Sequence, residues 1–136
     1  MFRPVKVRQY LRLMAAMGYS AESVLADSRV TERDLEDPLF LIDIPQYLKI
    51  SQNIVDLTGD QGIGLHFGMQ TELKDLGMLG FLAMSARTVR QTVGYWCDYS
   101  HELVGILVRQ RLVEVDADGS WTLELAEICP LGSTLR

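Results

Sequence analysis

Tyr95, Trp96, Tyr99 and His101 lie within one short stretch of this chain. Tyr and Trp join a large apolar body to a hydrogen-bonding tip, the combination a small-molecule pocket uses to bury and orient its ligand. Arg109 and Arg111 follow on a β-rich run, where a guanidinium offers a two-pronged fork for a carboxylate. The same residues also read as packing, with Trp96 and Tyr99 in the core and the arginines on a solvated strand edge. Tyr95, Trp96, Tyr99, His101 and Arg109 are the candidate ligand contacts.

Catalysis has less to stand on. Asp98, Ser100 and His101 are close in sequence, but neighbours on one helix point in different directions and do not form a nucleophile–base–orienter line. An enzyme working from the Tyr/Trp/His face would need His101 for turnover; no catalytic residue is assigned. His66 and His101 are the only histidines, and with Cys97 they would bind a metal only if the fold brought them together. No metal and no cofactor are expected. Glycines 59, 62, 64 and 68 resemble a phosphate-cradling loop at first sight. A dinucleotide fingerprint needs a strand before its glycines, whereas here a helix precedes them at the wrong spacing. The carboxylates Glu32, Asp34, Glu36 and Asp37 form a solvated acidic run.

These residues need a scaffold, and 136 residues suffice for a single domain with a real core. Hydrophobic residues make up 48% and charged residues 23%, as in ordinary globular proteins. Eighteen acidic against thirteen basic residues give a net charge of -5. Nucleic-acid binding is largely phosphate neutralisation by Lys and Arg, so this stretch is a poor candidate for gripping DNA. Cys97 and Cys129 are far apart and form no Cys-x-x-Cys pair, which suits a reducing compartment and leaves a disulfide between them open. The N-terminus is charged before any apolar run develops, unlike a secretory signal. No stretch is apolar for the eighteen or so residues a membrane-spanning helix needs. The expected location is cytoplasmic, with no membrane partner.

Helical spacing of Val7, Tyr10, Leu11, Met14 and Met17 predicts a first helix, stopped by Gly18. Ser20 caps a second short helix, and Thr31 with Asp34 forms a capping box for a third, closed by Asp37-Pro38. The helix-turn-helix look of residues 20–36 does not amount to DNA reading, because acidic residues outnumber the single Arg33. Pro45 opens a longer helix that Gly59 ends. Asp60 is the expected cap of the next, with Ile63, Leu65 and Phe67 buried. Thr88 starts a helix to about Leu103 whose broad inner face holds Val89, Val93, Trp96, Tyr99, Ser100 and Leu103.

Asp75 to Val89 is the stretch around which the rest is arranged. Gly77 and Gly80 would share one helix face and permit close backbone approach. Met78, Leu79, Phe81, Leu82 and Met84 predict a helix buried nearly all round, with Ser85 and Thr88 able to stop it and start the next. The pattern Asp75-Leu76-Gly77-x-Leu79-Gly80-Phe81-x-Ala83-Met84-Ser85, followed by Thr88-Val89, resembles the N-terminal sensor region of one AraC-type branch of bacterial transcriptional regulators, the arabinose-binding-like branch. Ile44-Pro45, Thr58-Gly59-Asp60 and Gly64-Leu65-His66-Phe67-Gly68 add to the resemblance, which runs from about Val5 to about Ala126. It implies a small-molecule effector, a homodimer, and DNA binding only through a C-terminal domain of two helix-turn-helix units that these residues lack.

Beyond the helices, Ile106, Leu107, Val108, Leu112, Val113 and Val115 form a β-rich run. Asp116-Ala117-Asp118-Gly119 is a turn signal, and Trp121, Leu123 and Leu125 alternate as a half-buried strand. The fold class is α+β in one domain over residues 1–136: helical to about 103, then a β-hairpin over about 104–128 that looks like part of a larger sheet. Two functions follow. One is the effector-sensing and dimerisation region of an AraC-type regulator. The other is a stand-alone helical domain that dimerises through its hairpin.

Overall fold

The computed structural model describes residues 1–104, 108–114, 117 and 119–127. Seven α-helices precede a two-stranded antiparallel sheet among these residues, an α+β architecture. Helix α1 (Val5–Ala16) ends where Gly18 turns at φ +92°, with Tyr19 N–H reaching back 3.0 Å to Met14 O. That backbone conformation suits glycine and satisfies an otherwise orphaned helix carbonyl. Helix α2 (Ala21–Leu25) is capped by Ser20, whose Oγ accepts from Ser23 N–H at 3.2 Å. Helix α3 (Glu32–Glu36) carries the full Thr31/Asp34 capping box and stops at Asp37. Helix α4 (Ile44–Thr58) has Pro45 in its first turn and Gly59 as its left-handed end. Its capping box, Asp43 with Gln46, went unread in the sequence. Helix α5 (Ile63–Met69) is entered at Gly62 and not at Asp60. The Asp60 carboxylate instead takes the Gly62 N–H at 2.7 Å and faces His66 Nδ1 at 3.1 Å.

These elements enclose the main core, in which Val7, Met14, Val24, Ile42 and Ile50 are sealed from solvent. Phe2 belongs to it because its backbone bridges to Ile42, pinning the N-terminus against the loop before α4. An aromatic row, Phe2–Tyr47–Tyr10–Phe67, runs through it with ring centroids 5.3–6.4 Å apart. The Tyr10 and Tyr47 hydroxyls meet at 3.2 Å, and burial drives the Tyr47 phenol far above its ordinary range. One buried amide holds the α2 end in place: Asn53 Nδ2 donates to Val24 O at 2.9 Å and Ala26 O at 2.7 Å. The loop it anchors runs through Asp27 and Arg29, both at positive φ. Leu65, expected inside, is 77% exposed, because α5 is short and buries only Ile63 and Phe67.

The stretch from Asp75 is built differently from the expectation. A 3-10 turn (Leu73–Leu76) comes first, Gly77 breaks it at φ +57°, and α6 (Met78–Ser85) begins after the break. Gly77 therefore stands outside the helix, where its freedom at positive φ makes the corner. Gly80 does provide the close approach: a Cβ there would run into the Leu73 carbonyl. Helix α6 is not buried all round. Leu79, Gly80 and Ala83 face inward, while Met78, Phe81 and Met84 are 63%, 67% and 54% exposed. The run is apolar on every side, yet the described chain supplies neighbours on only one.

Helix α7 (Val89–Val104) follows, and Thr88 Oγ1 accepts from Gln91 N–H at 3.1 Å at its start. Val89 is exposed, contrary to expectation, because it lies ahead of the packed part of the helix. A small second core of Leu76, Leu79 and Val104, flanked by Trp96 and Leu103, joins α6 to α7. Strands β1 (Val108–Glu114) and β2 (Trp121–Glu127) pair with Leu112 opposite Leu123 and Arg111 opposite Glu124. The β1 strand lies against α7. Trp121, Leu123 and Leu125 are 37%, 45% and 64% exposed, so β2 is not the half-buried strand its alternation suggests. Residues 105–107, 115, 116, 118 and 128–136 lie outside the described residues, and with them Ile106, Leu107, Val115, Asp116 and Asp118 of the predicted turn, and Cys129.

Candidate functional site

Positions along a helix rotate by about 100° each, so the candidates on α7 divide by side. Tyr95 and Tyr99, one turn apart, share a side, and Tyr95 OH accepts from Gln91 Nε2 at 2.9 Å on that same surface. Tyr99 is 43% exposed. Trp96 turns toward the small core and packs against the Leu76–Leu79–Val104 cluster. His101 falls on the side that carries Arg90 and Cys97, the side that meets the hairpin.

Two contacts place the hairpin there. The Arg90 guanidinium stacks 4.0 Å over the Trp121 ring, a cation–π contact. The half-buried Cys97 thiol sits beside the backbone of Leu112, and burial raises its pKa. Side chains alternate across a strand, so the face that Trp121 turns to α7 also bears Leu123, Leu125, Gln110 and Leu112. Arg109 and Arg111 belong to the opposite face, where Arg111 Nη2 pairs with Glu124 Oε2 at 2.7 Å. The structure thus brings Tyr95 and Tyr99 together, and sets Trp96, His101 and Arg109 on three other sides of the α7–hairpin unit.

Gln110 was read in the sequence only as an interruption of the strand. Its Oε1 is buried on the face toward α7 and has no hydrogen-bond partner. A buried acceptor without a donor is uncommon and costs stability. Its polar type amid Val108 and Leu112 was the available signal; its inward direction was not.

A second concave feature lies away from α7. Arg8, Gln9 and Arg12 of α1 face Lys74, Asp75 and Gly77 across a cleft of about 320 Å³. Arg12 Nη2 donates to Asp75 Oδ1 at 2.8 Å, and the Asp75 side chain is only 6% exposed. Asp75 Oδ2 accepts from Glu72 N–H at 2.9 Å. That backbone hydrogen bond first, and Arg12 second, hold its carboxyl below the ordinary range. Arg8 is steered by carbonyls, with Nε donating to Leu35 O at 2.8 Å and Nη2 to Asp37 O at 3.2 Å. Desolvation lowers the Lys6 pKa beside this cleft. Among the described residues no group of His, Cys, Asp and Glu is arranged to hold a metal ion, and no helix is long and apolar enough to cross a membrane.

A family model described as the arabinose-binding domain of AraC transcription regulators, N-terminal, matches residues 18–134. No curated protein matches the chain. No solved structure matches it either.

Proposed function

The chain belongs to the family of N-terminal arabinose-binding domains of AraC transcription regulators, and on that premise we propose that it binds a small organic metabolite and relays the event to a helix-turn-helix domain outside these residues. It is the sensing region of a transcription regulator. The family match across nearly the whole chain carries the reading. The net charge of -5 fits a domain that leaves DNA to a partner domain.

The relay works by population shift: a ligand that binds one arrangement of the domain better than another biases the equilibrium by that difference in affinity. Helix α7 is the natural lever, since it packs on α6 along one side and on β1 along another. Of the candidate contacts, Tyr95 and Tyr99 share one exposed side of α7 and are the pair proposed to meet the ligand, while Trp96, His101 and Arg109 lie on other sides. The protein acts in the cytoplasm as a homodimer, with no cofactor and no catalytic turnover.

Thermal unfolding against a panel of sugars, amino acids and organic acids tests the reading. A cognate ligand at a hundred times its Kd stabilises by about 2.7 kcal/mol, and Tyr99→Ala should abolish the shift. A panel in which nothing stabilises the chain, or in which Tyr99→Ala responds like the parent, counts against it. A second reading rests on the exposed Trp121, Leu123 and Leu125: a domain whose purpose is self-association through the hairpin. It predicts a mass that rises with concentration and no response to any small molecule.

A further inference from the structure

We propose that the cleft between α1 and the 3-10 turn is a binding site for a small organic carboxylate, separate from the α7 surface. The charge distribution is the first reason. Arg3, Lys6, Arg8 and Arg12 all precede the first acidic residue, Glu22, in a chain whose net charge is -5. Arg8 and Arg12 of this segment line the cleft, and Lys6 stands beside them bonded to Gln9. Lys74 joins from the other wall, where its ammonium also meets the Glu72 carboxylate at 2.7 Å.

The second reason is how these groups are held. Arg8 is positioned by two neutral carbonyl acceptors, and among the described residues no carboxylate pairs with it. Its orientation is thereby set while its charge stays uncompensated. Arg12 is set by Asp75, which is itself tied to the Glu72 amide. The Asp-Leu-Gly segment at the centre of the sequence thus builds one wall: Asp75 orients Arg12, and Gly77 makes the corner.

The third reason is the shortage of acceptors. Both Asp75 oxygens are engaged, and Glu72 Oε2 is taken by Lys74 Nζ at 2.7 Å. Gln9, nearly fully buried, donates Nε2 to Thr71 Oγ1 at 2.6 Å and accepts Lys6 Nζ at Oε1 at 3.4 Å. What remains is a donor-rich concavity with Gly77 on its wall, where α6 opens without a side-chain cap. The positive end of α6 adds to the same sign of potential. Guanidinium forks suit a planar carboxylate. A volume of about 320 Å³ lies at the small end of ligand sites and suits a metabolite of few heavy atoms, not a polymer.

The test is a two-dimensional NMR titration of the whole 136-residue chain with succinate, inorganic phosphate and arabinose in turn, following backbone amides and arginine side-chain N–H signals. Succinate should give saturable shifts at Gly77, Met78 and the Arg8 and Arg12 side chains. Phosphate should bind more weakly, and arabinose should leave these signals still. Arg8→Gln should weaken succinate binding about tenfold or more, the scale of one charged hydrogen-bonding partner lost. Lys74→Gln, at an exposed position that leaves the fold intact, should weaken it by a smaller factor and serves alone if the Arg8 variant does not fold. The proposal is overturned by non-saturable succinate shifts, by phosphate or arabinose binding as tightly at the cleft, or by undiminished binding in the folded variants. Saturable shifts confined to α7 would overturn the cleft and leave the α7 proposal standing, whereas shifts confined to the cleft would do the reverse.

Discussion

Helices α1 to α5 and the unit from the 3-10 turn to the hairpin are similar in apolar content and opposite in how they use it. In the first, Met14, Ile42, Ile50, Val7 and Val24 are sealed in one core with an aromatic row across it. In the second, the core reduces to Leu76, Leu79 and Val104, while Met78, Phe81 and Met84 face outward and Trp121, Leu123 and Leu125 stay exposed although their face is turned to α7. In the first, α2, α3 and α4 carry side-chain caps, and the apolar stripes of α1 and α4 meet in the shared core. In the second, α6 is apolar on all sides but has neighbours on one, and β2 has a single partner strand among the described residues. Apolar sequence is a demand for burial; whether it is met depends on how many elements converge.

Substitutions of equal chemistry should therefore have unequal effects. Ile50→Ala in the first core should cost about 2–5 kcal/mol, the usual range for a sealed aliphatic side chain. Leu125→Ala on the hairpin should stay within about 0.5 kcal/mol. Urea unfolding of both variants measures the contrast, and equal losses would break it. At the seam between the regions, Gly80→Ala forces a methyl against the Leu73 carbonyl. It should destabilise by roughly 1–3 kcal/mol, the scale of an overpacked core, and calorimetry checks it. Asn53→Ala strands the buried Val24 carbonyl and frees the part-buried Ala26 carbonyl, and should cost a similar amount, about 1–3 kcal/mol, entirely within the first region. Asp43→Ala removes the α4 cap for about 1 kcal/mol.

The smallest effect is pH-dependent and reports on the seam. The Asp75 carboxyl titrates lower in the folded state than in the unfolded chain, chiefly through the Glu72 amide and then Arg12. Its contribution is therefore complete above the unfolded value, about 3.9, and is lost as pH falls through the lower folded value. Asp75→Asn should lower stability at pH 7 and flatten the loss between neutral and acidic pH. An unchanged acid limb in the variant would show that Asp75 does not tie the regions together.

Most element boundaries were legible because they rest on local chemistry. Ser20, the Thr31/Asp34 box, Pro45, and the glycines at 18 and 59 act within a few residues of themselves, and the structure places each at the predicted boundary. Asp60 misled because an Asx-type turn and a helix cap use the same carboxylate, and here the turn won. Of the candidate contacts, the pairing of Tyr95 with Tyr99 follows from helix periodicity alone. The separation of Arg109 from them required knowing which strand face meets α7, and the Arg90–Trp121 contact supplies that. The cleft was invisible for a related reason: Arg8 and Arg12 read as solvated helix residues until Lys74 and Asp75, some sixty positions later, came to face them.

The division follows from the range of the forces. Capping hydrogen bonds, the φ freedom of glycine and the period of apolar residues act over one or two turns, so the linear chain is enough to establish the helices, the hairpin and the α+β class. Burial, charge pairing and the shape of a cavity depend on contacts between distant segments. Whether Met78 and Phe81 face solvent, which way Gln110 turns, and that Arg12 meets Asp75 were settled by packing in three dimensions.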